Sequence, residues 1–289
     1  MTIIGCHGLV WTGSFDAAGI RHAVAATRQA GFDLIEFPLM DPAAFDVRAA
    51  RSAIDEHGLE ASGSLGLTDA TDISSEDPTR VRAGEELLVR AVDVLAELGS
   101  RHLCGVVYSA MQKYQQPATP RGIENSRAVI ERVAGRAAEA GITVSVEVTN
   151  RYESNVLNTA RQARDFVRGL SPQVGVHLDT YHMNIEETDM VTPVLATADL
   201  LRYVHVGESH RGYLGTGSVD LRGFFTALHR IGYDGPIVFE SFSSSVVSPT
   251  LTSALGIWRN LWEDGADLGA HANAFIRAQL QATASFRYH

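Results

Sequence analysis

Eight short β-rich runs alternate with stretches of helical periodicity from one end of this 289-residue chain to the other. The runs begin near Thr2, Leu34, Glu60, His102, Ile142, Val174, Arg202 and Pro236, 26 to 42 residues apart, and a helical pattern follows each. Strands alternating with helices build a parallel sheet covered by helices. Eight such units with no break in composition point to a closed barrel rather than an open sheet, and barrels of roughly 250 residues are single units. The expected fold is α/β: one (β/α)8 barrel over residues 1–289, with a further helix at its C-terminal end.

Several helices carry their own punctuation. Thr119-Pro120 opens one that runs to Gly141. Asp220 is a good N-cap for the seventh, with Leu221, Phe224, Phe225, Leu228 and Ile231 on one stripe and Gly232 as its stop. Ser248-Pro249 opens an eighth, whose stripe reads Leu251, Leu255, Trp258 and Trp262 before Gly265. The last helix is expected from about Gly269 to Ala282. Barrel packing is the first reading of Trp258, although the WRNLW stretch could also serve an interface between copies.

Charge and hydropathy exclude some functions. A net charge of -10 argues against a polyanionic partner, because nucleic-acid affinity comes largely from Lys and Arg neutralising phosphates. No apolar run approaches the roughly 20 residues of a membrane span, and the N-terminus reads as a strand rather than a signal peptide. Cys6 and Cys104 lie in apolar strand candidates, so two buried free thiols and a reducing, cytoplasmic setting are expected.

The chemistry concentrates at strand ends. Segments ITVSVEV, QVGVHLD, RYVHV and PIVFES place Glu147, Asp179, His205 and Glu240 at the downstream ends of strands five to eight. In a parallel barrel these ends converge on the catalytic face. Taken singly, each residue has an ordinary explanation: a glutamate can pair with Arg, Asp179 can cap the next turn, and His205 can be a satisfied core histidine. Taken together, four buried polar groups at equivalent positions each need compensation, and one divalent cation compensates all of them. Three carboxylates and an imidazole favour Mn²⁺, Mg²⁺ or Co²⁺, one ion per subunit, over structural zinc. Glu147 and Glu240 come from opposite sides of the ring, so a substrate between them could exchange a proton on either face, as in a metal-assisted epimerase.

Other polar residues surround this core. Arg151, Glu153, His182, Glu208, His210 and Arg211 follow the strand ends. Arg151 reads equally as a salt bridge or a substrate contact, whereas His182 and Arg211 belong to loops that face the pocket. His7, Trp11 and Glu36, ending strands one and two, read as barrel filling or pocket wall. Tyr181, Tyr213 and Phe242 read as apolar wall. Three long loops, Gly66 to Pro78, Tyr108 to Pro120 and Gly207 to Val219, lie where substrate selection usually resides. The glycines of the third make no phosphate cradle.

At VEVTNRYESNVLNT, LDTYHMNIEE, HVGESHRGYLGTG and FESF the chain resembles the ketose 3-epimerases, the D-tagatose, D-allulose (psicose) and L-ribulose 3-epimerases of the xylose-isomerase-like TIM barrels. GESHRGYLGTG and WRNLW look most like the bacterial D-allulose 3-epimerases. The resemblance covers essentially the whole chain. It implies that Glu147, Asp179, His205 and Glu240 bind the metal, that Glu147 and Glu240 are also the catalytic acid and base, and that Glu153, His182 and Arg211 hold the ketose near C1 to C3. His7, Ser64 and Met111 are expected as further substrate contacts. The chain departs from the family at His7-Gly8, where many members have aromatic residues, and at Met111, where many have tryptophan; both surround the far end of the sugar. The implied reaction interconverts D-fructose and D-allulose, with D-tagatose/D-sorbose or L-ribulose/L-xylulose as further pairs. The implied assembly is a homodimer or homotetramer. An aldose–ketose isomerase on the same barrel, a DNA-repair nuclease of the same superfamily and a non-catalytic sugar-binding barrel are the rivals. Lys113, the one lysine, lies in a loop and leaves no strand-end lysine for the first. The acidic balance disfavours the second, and the presence of both glutamates weighs against the third.

Overall fold

The computed structural model describes residues 2–285. Eight parallel strands close into a barrel in sequence order: β1 Ile4–His7, β2 Leu34–Pro38, β3 Glu60–Ser64, β4 His102–Cys104, β5 Thr143–Val148, β6 Val174–Asp179, β7 Leu201–Val206 and β8 Ile237–Phe239. Every expected strand is present, its start within one or two residues of the expected one. The helices are α1 Ala17–Gln29, α2 Val47–His57, α3 Pro78–Leu98, α4 Pro120–Glu139, α5 Ala160–Val167, α6 Thr180–Glu186, α7 Thr192–Ala196, α8 Leu221–Arg230, α9 Pro249–Leu255 and α10 Gly265–Ala284.

The strands are buried on both faces, as parallel strands under helices are. Outward residues such as Ile35, Phe37, Val144, Val146 and Val204 join the helix faces in one large core. A smaller apolar group, Leu34, Cys104, Tyr203 and Val238, packs apart from it. On the same strands Glu36, Ser62, His177 and His205 are buried polar residues, so alternation along β2 and β7 puts one side of each strand in the core and the other in polar chemistry.

Helix boundaries follow side-chain caps. Thr119 Oγ1 accepts from Gly122 N ahead of α4, and Asp220 Oδ1 accepts from Gly223 N ahead of α8. The eighth expected helix is cut short. Gly256 adopts a left-handed conformation, φ 65°, and its N–H closes on Thr252 O, which ends α9 at Leu255. Trp258 and Trp262 therefore share no helical stripe. Trp262 is buried, while Trp258 is 74% exposed, which corrects its reading as barrel packing. Because α9 buries none of its residues, the backing of β8 and β1 falls to α10, which also packs on α8. That helix starts at Gly265, four residues before its expected start, because Asp264 caps Ala266 N and Asp267 N.

Candidate active site

The four strand-end residues meet at one mouth of the barrel. Glu147 sits near the end of β5, Asp179 ends β6, His205 lies in β7, and Glu240 directly follows β8 with its N–H on Val206 O at 3.2 Å. Strand register sets Asp179 beside His205. β5 and β8 are three strands apart around the ring, somewhat short of diametrically opposite. His205 Nδ1 lies 3.4 Å from Glu240 Oε1 and 3.8 Å from Glu147 Oε1. Ligand atoms of Asp179, His205 and Glu240 all lie within 4.8 Å of one another, and so do those of Glu147, Asp179 and His182. Asp179 does serve as an N-cap: Oδ1 accepts from Tyr181 N at 2.8 Å. Its Oδ2 is left for the cluster.

These groups suit a divalent cation. Asp179 Oδ2 and His205 Nδ1 are buried without an aligned hydrogen-bond donor or acceptor among the described residues, a costly condition that one shared ion relieves. Oxygen donors with one imidazole match hard or borderline metals.

Arg211 supplies the positive charge within the protein. Nη1 lies 2.7 Å from Glu240 Oε2 and Nη2 2.9 Å from Asp179 Oδ2. Both contacts have ion-pair distance without hydrogen-bond alignment, so Asp179 Oδ2 and Arg211 Nη1 count as paired yet unbonded. The guanidinium lies 4.1 Å from the Tyr181 ring and 5.3 Å from that of Phe242. Both aromatics are thus wall, as expected. Tyr213 is not: its hydroxyl donates to Asp267 and its ring meets His271, outside the pocket lining.

Charge environment pushes the two glutamates apart. Burial, with Glu240 and Asp179 nearby, raises the Glu147 carboxyl well above its usual range despite His205 and Arg211. Burial opposes ionisation of Glu240 too, but Arg211 and His205 outweigh it and hold that carboxyl well below.

On the other side, His182 Nδ1 accepts from Asn150 N at 3.2 Å and from Asn150 Nδ2 at 2.8 Å. Its proton therefore sits on Nε2, 3.6 Å from Glu147 Oε1 and 3.7 Å from Asp179 Oδ2. Asn150 Nδ2 also donates to Glu153 Oε1 at 2.8 Å. His7, Ser64, Met111, Glu147, Glu153, His182, His205, Arg211 and Glu240 all line one cavity of about 230 Å³, with Asp179 immediately beneath. Arg151 instead pairs with Glu186 at 2.8 Å, away from the lining, which settles its reading as a salt bridge. Trp11 lies in the hydrophobic core.

The sequence reading left other parts unassigned. Glu208 is a buried hub whose carboxylate accepts from Ser209 N, Gly215 N and Val219 N, and so folds the loop that carries Arg211. Residues of α9 and the segment after it, Leu251, Leu255, Ile257 and Trp258, line the mouth. Glu36, left open as wall or filling, is fully buried and accepts from Tyr203 Oη at 2.6 Å. Its signal was a strand-end acid; Glu208 followed His205 in the motif but gave no sign of its backbone partners.

Fold and cavity together define an enzyme barrel acting on a small polar molecule. Residues 24–270 match the family described as xylose isomerase-like TIM barrel. A ketose 3-epimerase of Arthrobacter globiformis is 68% identical over 287 residues, 99% of each chain. An L-ribulose 3-epimerase of Methylomonas sp. (strain DH-1) is 51% identical over 274 residues, 94% of this chain and 96% of that one. The crystal structure of a D-allulose 3-epimerase from Methylomonas sp. in complex with D-allulose is similar with a TM-score of 0.95, at 50% identity over 96% of this chain and 97% of that one. The chain belongs to the xylose isomerase-like TIM barrels and, within them, to the ketose 3-epimerases, isomerases acting on carbohydrates. No helix among the described residues is long and apolar enough to cross a membrane.

Proposed function

We propose that this single barrel domain interconverts D-fructose and D-allulose at C3, with D-tagatose/D-sorbose and L-ribulose/L-xylulose as further pairs. Glu147, Asp179, His205 and Glu240 would hold one divalent ion per subunit, Mn²⁺, Mg²⁺ or Co²⁺. The observation that carries this reading is the pair of glutamates on β5 and after β8, both lining one cavity and both facing His205 Nδ1.

A hydrogen at C3 of a ketose is acidic only because the C2 carbonyl can take up the charge left behind. The ion, when bound, polarises that carbonyl as a Lewis acid. One glutamate takes the C3 proton, leaving a planar enediolate, and the other returns a proton from the opposite face. Their roles reverse with the direction of reaction. His182, with its Nε2 proton directed into the cavity, and Arg211 stabilise negative charge growing on O2. Glu153 is fixed by Asn150 to accept a sugar hydroxyl. His7, Ser64 and Met111 face the far end of the chain.

A homodimer or homotetramer completes the reading, and the exposed Trp258 in WRNLW suits an interface. Two buried free thiols suit a reducing, cytoplasmic setting. Incubating Mn²⁺-loaded protein with D-fructose and assaying for D-allulose tests the function. Formation of an aldose alone, or of no product from any of the three ketose pairs, would overturn it.

A further inference from the structure

We propose that Glu36 is a positioning residue of this site: it turns the His205 ring so that Nδ1 faces the carboxylates, and it stands beside His7 on the sugar side. The proposal rests on the metal reading given above.

The geometry fixes the direction of each hydrogen bond. Ser62 Oγ lies 2.7 Å from Tyr203 Oη, and Tyr203 Oη donates to Glu36 Oε2 at 2.6 Å. The same Oε2 is 2.9 Å from His205 Nε2. A carboxylate only accepts, so His205 Nε2 carries a proton; Nδ1 then holds a second proton while no cation is bound and presents its lone pair when one is. Nδ1 points at Glu240 and Glu147, 3.4 and 3.8 Å away. Two carboxylates facing one ring nitrogen require a positive charge there, a proton on Nδ1 or a cation in its place. Glu36 thus sets up, from behind, a place for a cation in front. A carboxylate on the far nitrogen of a ligating imidazole fixes its orientation and raises its basicity.

The second oxygen reaches the other wall. His7 Nδ1 accepts from Leu9 N at 3.2 Å, so its proton is on Nε2. That nitrogen is hydrogen-bonded to Ser64 Oγ at 3.1 Å and stands 3.4 Å from Glu36 Oε1, a close approach without hydrogen-bond alignment. His7 and Ser64 both line the cavity. One fully buried carboxylate on β2 therefore holds a candidate ligand on β7 by a hydrogen bond and faces a candidate sugar contact on β1 across 3.4 Å. Register supports this, since His7 pairs with Glu36 across β1 and β2.

The test is Glu36→Gln, with Mn²⁺ affinity read by calorimetry. The amide lacks the charge, and whichever way it turns, its NH2 faces a group already donating, either His7 or the Tyr203–His205 pair. Mn²⁺ affinity is expected to fall about 10- to 100-fold with the fold retained by circular dichroism. Tyr203→Phe keeps the Glu36–His205 contact and is expected to lose less affinity than Glu36→Gln. Equal Mn²⁺ affinity in wild type and Glu36→Gln, or a greater loss in Tyr203→Phe, would overturn the inference. No Mn²⁺ binding by the wild type would instead overturn the metal reading beneath it. Should Glu36→Gln not fold, nitrogen NMR of Mg²⁺-loaded wild type decides. The expected His205 tautomer carries its proton on Nε2, and a proton on Nδ1 would sink the proposal.

Discussion

Arg211 and Glu240 meet at 2.7 Å, Nη1 to Oε2, while the face of the same guanidinium rests 4.1 Å from Tyr181. Arg211 is also the one non-glycine residue with positive φ, 60°, among the described residues. Holding a residue with a Cβ there costs of order 1 kcal/mol. The Glu208 hub and a hydrogen bond from Ser241 Oγ to Arg211 O sustain it. Arg211→Lys keeps a positive charge but loses the planar fork and the stacking face. Turnover of D-fructose by this variant is expected to fall about 10- to 100-fold. Wild-type kcat would show that charge alone is what the site needs.

On the reading proposed above, Glu147 and Glu240 act on one carbon from two sides. Glu147→Gln and Glu240→Gln are each expected to abolish measurable turnover, a loss of about a thousandfold or more, with the fold unchanged. In D₂O, ketose recovered from the wild-type reaction is expected to carry deuterium at C3. Substantial turnover in either single variant, or label at C1 only, contradicts the two-base scheme.

The strand ends were readable because parallel strands buried on both faces give near-continuous apolar runs, and a polar residue closing such a run stands out. Glu147, Asp179, His205 and Glu240 announce themselves in this way. What was not readable depends on contacts across the barrel. Tyr203 donates to Glu36 across 167 positions, with no local pattern to signal it. Glu208 was visible, but its partners are backbone N–H groups 1, 7 and 11 residues on, and backbone leaves no mark in composition. The end of α9 was legible in principle, since Gly256 is present, yet a regular apolar spacing running past it pointed the other way.

His102 gives the fold a sensitivity to acid. Burial, reinforced by Arg101 and only partly offset by Glu36, lowers it from 6.5 to about 4. Above pH 6.5 neither folded nor unfolded chain protonates it, so its contribution there is constant. Between pH 6.5 and about 4 the unfolded chain takes up a proton that the folded chain refuses, and stability falls as pH falls. The decline amounts to about tenfold in the folding constant per pH unit across that window. His102→Gln is expected to flatten that part of the profile in denaturant titrations. An unchanged slope would show that His102 takes up its proton at the same pH in the folded and the unfolded chain.

Trp258 and Trp262 separate spacing from packing. Both fall on the stripe that the sequence suggests, but only Trp262 lies inside, 4% exposed, with Nε1 donating to Ser241 Oγ at 2.8 Å. Trp262→Ala leaves a cavity where the segment before α10 meets the core, and strips a partner from the serine that holds the Arg211 carbonyl. The expected cost is about 3–5 kcal/mol. Trp258→Ala removes an exposed ring at the pocket mouth and is expected to change the stability of a single subunit by less than about 0.5 kcal/mol. Thermal unfolding at low protein concentration distinguishes the two. Equal losses would mean that Trp258 packs against the barrel after all, and that α9 extends past Gly256 in solution.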